Sequence, residues 1–248
     1  MTLMQFFEEN PKVAIAFSGG VDSAYLLYAA KRYGANVRAY YVKTPFQPQF
    51  EYDDAVTLAE QLQIPMTTLM VDVLSDAQIT ANPQNRCYFC KKKIFTVLRE
   101  QANRDGFSLI LDGTNASDSR DDRPGIQALE ELGVCSPLQI CGLTKTEIRK
   151  LSKAAGLFTH DKPAYACLAT RIPTATPITA EHLAKTERSE AFLRSLGFSD
   201  FRIRMEGENG KIQLPEAQLP LLLQHRQTIV DTLKCDYAAV LLDLEVRQ

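Results

Sequence analysis

Two stretches of this sequence carry residue types suited to chemistry. The first is Ser18-Gly19-Gly20-Val21-Asp22-Ser23, which follows the apolar run Val13 to Phe17 and opens a helical pattern. Glycine there permits close backbone approach, and the free N–H groups at a helix start cradle an anion. Phosphate is the natural occupant. A bare Gly-Gly pair would be explained by a plain strand-to-helix turn with Asp22 or Ser23 as N-cap, but the whole six-residue string in this context favours a phosphate site. No Gly-Lys-Ser/Thr follows at Walker A distance, nor is there a dinucleotide fingerprint, so the kinase and GTPase classes lose ground.

The second is the cysteine set. Cys87 and Cys90 form a CxxC in Asn85-Arg86-Cys87-Tyr88-Phe89-Cys90-Lys91. Taken alone it fits half a zinc site, a redox pair, part of an iron-sulfur site or two buried thiols. Cys167 lies in Lys162-Pro163-Ala164-Tyr165-Ala166-Cys167-Leu168-Ala169-Thr170-Arg171-Ile172-Pro173, directly before an expected domain boundary, where Arg171 could stabilise its thiolate. A buried loop cysteine beside a structural arginine is the alternative. Cys135, Cys141 and Cys235 read as core.

The elements that must position these groups alternate. Strands are expected over Val13 to Phe17, Val37 to Val42, Met66 to Val71, Leu109 to Asp112 and Val134 to Leu138. Between them come helices over Asp22 to Tyr33, Tyr52 to Gln63, Lys91 to Ala102 and Ile126 to Leu132. Such alternation means crossover units, hence an α/β fold with a parallel sheet and helices on both faces. Thr144-Lys145-Thr146-Glu147 is a capping box ahead of a helix ending at Gly156. After Pro173 the texture changes, giving a division into 1–173 and a small α+β domain, 174–248. That second part holds a charged helix from Glu181 to Leu196, a hairpin from Phe201 to Met205 with Lys211 to Leu214, and a late strand from Ala238 to Leu242.

The 248 residues are 45% hydrophobic and 23% charged, ordinary for a globular protein, and the net charge of -2 supplies no basic field to neutralise nucleic acid. Met1 to Pro11 lacks the apolar core of a secretory leader, and no run approaches the roughly 18 apolar residues of a membrane span. A cytoplasmic protein with no membrane partner and no nucleic-acid partner is expected, and six reduced cysteines suit that compartment. Asp112-Gly113-Thr114-Asn115-Ala116-Ser117-Asp118 follows a strand and should line the nucleotide side of a cleft, unless it is a polar turn. Arg123 precedes Pro124, which restricts it to extended backbone and aims it at the same cleft. Arg202 and Arg204 share one strand face, suited to a phosphate or to solvent.

Ser18 to Ser23 resembles the SGGxDS signature of PP-loop ATP pyrophosphatases. That resemblance implies ATP with its pyrophosphate held by Ser18, Gly19, Gly20 and Ser23, Asp22 near Mg²⁺, and an adenylation reaction. Taken with Asp112 to Asp118, Arg123-Pro124-Gly125, Cys167 with Arg171-Ile172-Pro173, and Arg202-Ile203-Arg204, nearly the whole chain resembles the ATP-dependent sulfurtransferases of nickel-pincer nucleotide synthesis, the LarE family. The resemblance implies that a carboxylate of a pyridinium mononucleotide is adenylated and that sulfur then displaces AMP. It also implies a nucleotide-binding role for Asp112, Gly113 and Thr114, and substrate binding by Arg123, Arg202, Arg204 and Glu190. The three-cysteine set resembles members in which Cys87, Cys90 and Cys167 would hold a [4Fe-4S] cluster; in others the cysteine at position 167 is itself the sulfur donor. A sulfur donor protein or sulfide as partner and a homo-oligomer, with a hexamer among the assemblies suggested, belong to the same expectation. Gln213 departs from the acidic residues the family tends to carry in its hairpin. The rival readings are a tRNA thiolation enzyme, an amidating ligase that needs none of the cysteines, and a nucleotide sensor without chemistry.

Overall fold

The computed structural model describes residues 1–118 and 124–245. The chain forms two compact units, one of Met1–Ile79 with Gln84–Lys162, the other of Thr80–Pro83 with the chain from Pro163 onward.

In the first unit, α1 (Leu3–Glu9) opens on a capping box made by Thr2 and Gln5. β1 (Lys12–Ala16), α2 (Val21–Arg32), β2 (Asn36–Lys43), α3 (Gln49–Gln61) and β3 (Met66–Met70) then alternate. After α4 (Ala77–Thr80) come α5 (Arg86–Arg104), β4 (Ile110–Leu111), α6 (Pro124–Glu131), α7 (Pro137–Ile140) and α8 (Lys145–Ala154). The strands form one parallel sheet in the order β3-β2-β1-β4. β1 is buried on both faces because its side chains alternate. Val13 and Ile15 pack with α1, α2, α3 and α8 through Phe7, Leu26, Leu58 and Ile148. Ala14 packs the other way, against Phe95 and Leu98 of α5 and Leu129 of α6. Full burial of side chains such as Ile15, Leu26 and Leu27 stabilises by roughly 1.5–3 kcal/mol each. The strand order turns outward on either side of β1, so the β1–α2 and post-β4 loops diverge at the strand ends where α/β sheets bind ligands.

The second unit carries α9 (Ala180–Ser195), the antiparallel hairpin β5 (Arg202–Glu206) and β6 (Asn209–Gln213), α10 (Leu219–Gln224), α11 (Arg226–Leu233), and β7 (Val240–Leu242), which runs parallel to β6. Ile203 and Ile212 pair across the hairpin and are buried.

Four local differences from the sequence reading have physical causes. Val134 to Leu138 makes only a bridge from Cys135 to Leu111, because Pro137 starts α7. α5 begins at Arg86, so both CxxC thiols sit in its first turn. The division between units falls at 162/163 rather than 173/174. Asn82 Nδ2 donates to the carbonyls of Pro173 (2.8 Å) and Thr176 (3.1 Å), which ties residues 80–83 and the Cys167 segment into the second unit. Cys235, expected in the core, is exposed after α11, whereas Cys135 and Cys141 pack against the core as expected, and burial pushes both thiols up.

Candidate active site

The loop from Ser18 to Ser23 is built by its own side chains. Ser23 Oγ donates to the Gly20 carbonyl (3.2 Å) and lies 3.1 Å from Ser18 Oγ, while the Ser18 amide donates to Ser23 Oγ (3.3 Å). Gly19 has φ +73°, and a Cβ there would meet the Glu51 carbonyl at 3.1 Å and Ala55 Cβ at 3.2 Å, so α3 packs where only glycine fits. Gly20 is the N-cap of α2 without a side-chain cap, which leaves first-turn amides to solvent or an anion.

The loop after β4 closes against this helix start. A Cβ on Gly113 would fall 2.9 Å from the Ser23 nitrogen, a contact that only bare backbone permits. Asp112 is buried and accepts from Thr114 Oγ1 (2.5 Å) and Ser136 Oγ (2.6 Å), so its carboxylate shapes the loop. Asn115 Oδ1 accepts from the Ser117 amide at 2.8 Å, an Asx-type turn, and Asp118 accepts from the Asn115 amide at 3.0 Å. Asp112, Gly113 and Thr114 thus come together with Asp22 and Ser23. Arg123 lies outside the described residues.

Two lysines that sequence reasoning left without a role flank the loop. Lys145 Nζ stands 2.5 Å from Asp22 Oδ2. Asp22 Oδ1 is buried with no hydrogen-bond partner among the described residues, and burial raises this carboxyl above its ordinary value, partly offset by Lys145. An orphaned carboxylate oxygen beside a phosphate cradle fits Mg²⁺, which is usually held by one or two carboxylates plus substrate phosphates. Lys162 Nζ reaches Asp54 Oδ2 (2.7 Å), Glu51 Oε1 (3.1 Å) and the Gly19 carbonyl (3.5 Å). Lys145 sits inside the capping box and Lys162 opens the Cys167 motif, so the only signals were their places in those strings.

In the second unit, arginines fix the segment that bears Cys167. Arg171 Nη1 donates to the Ala166 carbonyl (3.0 Å), Arg204 Nη1 to the Thr170 carbonyl (3.0 Å), and Arg202 to the Ala164 carbonyl. Cys167, partly buried, is the N-cap of a 3-10 turn over Leu168–Arg171, and its carbonyl accepts from Thr170 N at 3.0 Å and Thr170 Oγ1 at 2.8 Å. The sequence points Arg171 toward the Cys167 thiolate and Glu190 toward the substrate. Instead Arg171 Nε donates to Glu190 Oε1 (2.8 Å), and Glu190 also accepts from Tyr165 Oη (2.6 Å) and the Ile203 amide (3.0 Å). The Glu190 carboxylate is therefore turned into the core, where it holds Arg171. Arg202 and Arg204 leave β5 on one side, yet Arg202 is buried over the Tyr165 ring (5.1 Å) and Arg204 is exposed, its Nε donating to Gln213 Oε1 at 2.6 Å.

Cys87 and Cys90 project from the first turn of α5, Cys87 exposed and Cys90 partly buried, with Arg86 Nη2 at 3.9 Å from Cys87 Sγ. They belong to the first unit and Cys167 to the second. Among the described residues no three His, Cys, Asp or Glu side chains converge to hold a metal ion. Nor, among them, is any helix long and apolar enough to cross a membrane.

The chain is also similar to known proteins. The family model described as Queuosine biosynthesis protein QueC matches residues 12–93, the span that holds the phosphate loop and the CxxC. The chain is 34% identical over 220 residues to the pyridinium-3,5-bisthiocarboxylic acid mononucleotide synthase of Lactiplantibacillus plantarum, covering 88% of this chain and 80% of that one. It is 39% identical to an uncharacterized protein of Synechocystis, over 90% of this chain and 83% of that one. A probable tRNA sulfurtransferase of Methanobrevibacter smithii is 26% identical over 61% of this chain and 42% of its own.

Proposed function

The chain belongs to the family of pyridinium-3,5-bisthiocarboxylic acid mononucleotide synthases, ATP-dependent sulfurtransferases of the PP-loop class, and we propose that it acts on a pyridinium mononucleotide in nickel-pincer cofactor synthesis. A substrate carboxylate oxygen attacks the α-phosphorus of ATP, and pyrophosphate leaves with the electron pair of the broken P–O bond. Sulfur then adds at the acyl carbon, and AMP departs to leave a thiocarboxylate.

The observation that carries this reading is Asp22, in the first turn of a helix without a side-chain cap, whose Oδ1 is buried with no hydrogen-bond partner among the described residues. Ser18, Gly19, Gly20 and Ser23 hold the pyrophosphate through the loop amides and hydroxyls, and Asp22 Oδ1 takes the metal. Mg²⁺, when bound, neutralises charge on the leaving pyrophosphate. Asp112, Gly113 and Thr114 keep the second loop against the first, and Arg123, outside the described residues, is assigned to substrate binding. Arg204 binds the substrate phosphate. Arg202 reaches that phosphate only by giving up its carbonyl partners, so its first task is to hold the Cys167 segment, with Glu190 and Arg171 fixing it from within.

For the sulfur, Cys87, Cys90 and Cys167 are proposed as thiolate ligands of a [4Fe-4S] cluster. The donor set supports this in part: two thiols three residues apart on one helix turn, both reachable from solvent, supply neighbouring ligands. When bound, a cluster with three protein thiolates supplies an iron with an open position for a labile sulfide. In the second reading, supported by the same arginine-fixed segment, the Cys167 thiolate displaces AMP at the acyl carbon, and loss of the Cα proton then breaks the Cβ–Sγ bond, leaving the thiocarboxylate and dehydroalanine at position 167. Reloading by sulfide or a donor protein and assembly into a homo-oligomer, such as a hexamer, complete the proposal.

Anaerobic purification with iron and sulfide analysis tests it on the natural protein and on Cys87→Ala, Cys90→Ala and Cys167→Ala. About four irons and four sulfides per chain, lost in each variant, is the expected result. Absence of iron after reconstitution, with product formation limited to one turnover, returns Cys167 to the role of consumed donor. Pyrophosphate release that does not respond to a pyridinium carboxylate mononucleotide would overturn the acceptor assignment.

A further inference from the structure

We propose that Lys145 competes with the divalent cation for Asp22 and, once displaced, places its ammonium on the ATP polyphosphate. The inference rests on the nucleotide reading above and deepens it by naming a side chain that touches the substrate.

The pair is built for exchange. Lys145 Nζ meets Asp22 Oδ2 at 2.5 Å, while Oδ1 of the same carboxylate is buried without a partner among the described residues. A carboxylate half-engaged by a single positive charge gains more from a doubly charged ion. The backbone of Lys145 does not move with its side chain. Its amide donates to Ser117 Oγ (3.0 Å), and Thr144 and Glu147 close the capping box around it, with the Thr144 hydroxyl on Glu147 Oε2 at 2.6 Å. The stem is therefore anchored at one end, next to the loop that presses on Ser23 through Gly113. Its side chain is a third exposed, so it can trade one anion for another without being buried. A lysine ammonium on four flexible carbons suits that exchange better than a guanidinium fixed by two-point bonding.

Lys162, the other lysine beside the loop, is a poor candidate for the same task. It is held by two carboxylates, Glu51 at 3.1 Å and Asp54 at 2.7 Å, and its side chain is only 14% exposed. Moving it would break its contacts with both acids and the Gly19 carbonyl, whereas displacing Lys145 breaks the one with Asp22, which the metal then takes. The two lysines thus divide the work, one bracing the loop from behind and one answering the charge that arrives in front.

The test is calorimetric binding of α,β-methylene ATP, which cannot release pyrophosphate, to the full-length natural protein and to Lys145→Met, Lys145→Gln and Lys145→Arg across a series of Mg²⁺ concentrations. The neutral variants are expected to bind the analogue about tenfold more weakly at saturating Mg²⁺. Their half-maximal Mg²⁺ concentration is expected to fall several-fold, because nothing contests Asp22. The arginine variant should keep most of the affinity. Lys145 sits on a partly exposed helix start, so melting temperatures should stay close to that of the natural protein. A role confined to folding would lower them and leave the Mg²⁺ midpoint alone. An unchanged Mg²⁺ midpoint, or unchanged affinity, in neutral variants that remain folded overturns the inference while leaving the nucleotide reading intact. Failure of the natural protein to bind the analogue at any Mg²⁺ concentration removes the nucleotide reading itself, and this inference with it.

Discussion

Arg171 and Glu190 meet in a two-point ion pair with almost no exposure to solvent: Nε to Oε1 at 2.8 Å and Nη2 to Oε2 at 3.2 Å, with side chains 1% and 2% exposed. The carboxylate is also the acceptor for Tyr165 Oη and the Ile203 amide, so one acid joins α9, β5 and the Cys167 segment. Glu190→Ala leaves the guanidinium buried without its counter-charge and should destabilise the second unit by about 3–5 kcal/mol. Denaturant titration checks it; a loss within the range of an exposed ion pair would mean that the pair is not buried in solution.

Asp22→Asn should separate function from stability. Burial holds the Asp22 carboxyl above its ordinary value, so the folded chain binds this proton more tightly than the unfolded one. Stability linked to Asp22 is accordingly full below the ordinary carboxylate value and falls as pH rises through the raised one. Melting temperatures followed from about pH 4 to about pH 7 should show the natural protein losing ground to the asparagine variant. Nucleotide-dependent pyrophosphate release should be lost over the same range.

The two loop glycines should respond differently. Gly19→Ala puts a side chain at φ +73° and within 3.1 Å of the Glu51 carbonyl, at a strain of about 1–2 kcal/mol before the clash is counted. ATP binding should disappear with it. At Gly20 the nearest atom to a new Cβ is Ser18 Oγ at 3.4 Å and the backbone is ordinary, so Gly20→Ala should fold normally. Calorimetry on both variants distinguishes them.

The strand arginines should part in the same way. Arg204 is exposed, and Arg204→Ala is expected to raise KM for the mononucleotide with melting temperature nearly unchanged. Arg202 is buried over Tyr165, and Arg202→Ala should lower the melting temperature before any kinetic effect is read.

The phosphate loop and the alternation of strand and helix were legible because each is local: glycines at a strand end, apolar residues at helical or strand spacing. The period of two also put Arg202 and Arg204 on one face correctly, but it carries no information about which of them is covered by Tyr165. Lys145 and Lys162 escaped notice because their partners lie more than a hundred residues away in sequence, at Asp22 and Gly19, and no spacing rule reaches that far. The resemblance gives Glu190 a substrate-binding role, and nothing in the charged run of α9 shows that the packing of β5 against it turns the carboxylate inward. Pro137 was the visible warning against a strand at Val134 to Leu138, since it favours a helix start over a ladder.

The segment around Cys167 is gripped through main-chain oxygens, those of Ala164, Ala166 and Thr170, by arginines that belong to other positions. A carbonyl is the same whatever residue carries it. Positions 164 and 166, whose side chains are exposed, are therefore open to substitution without slackening the grip. Evolution, or a protein engineer, can change the side chains on either side of Cys167 without rebuilding its mount.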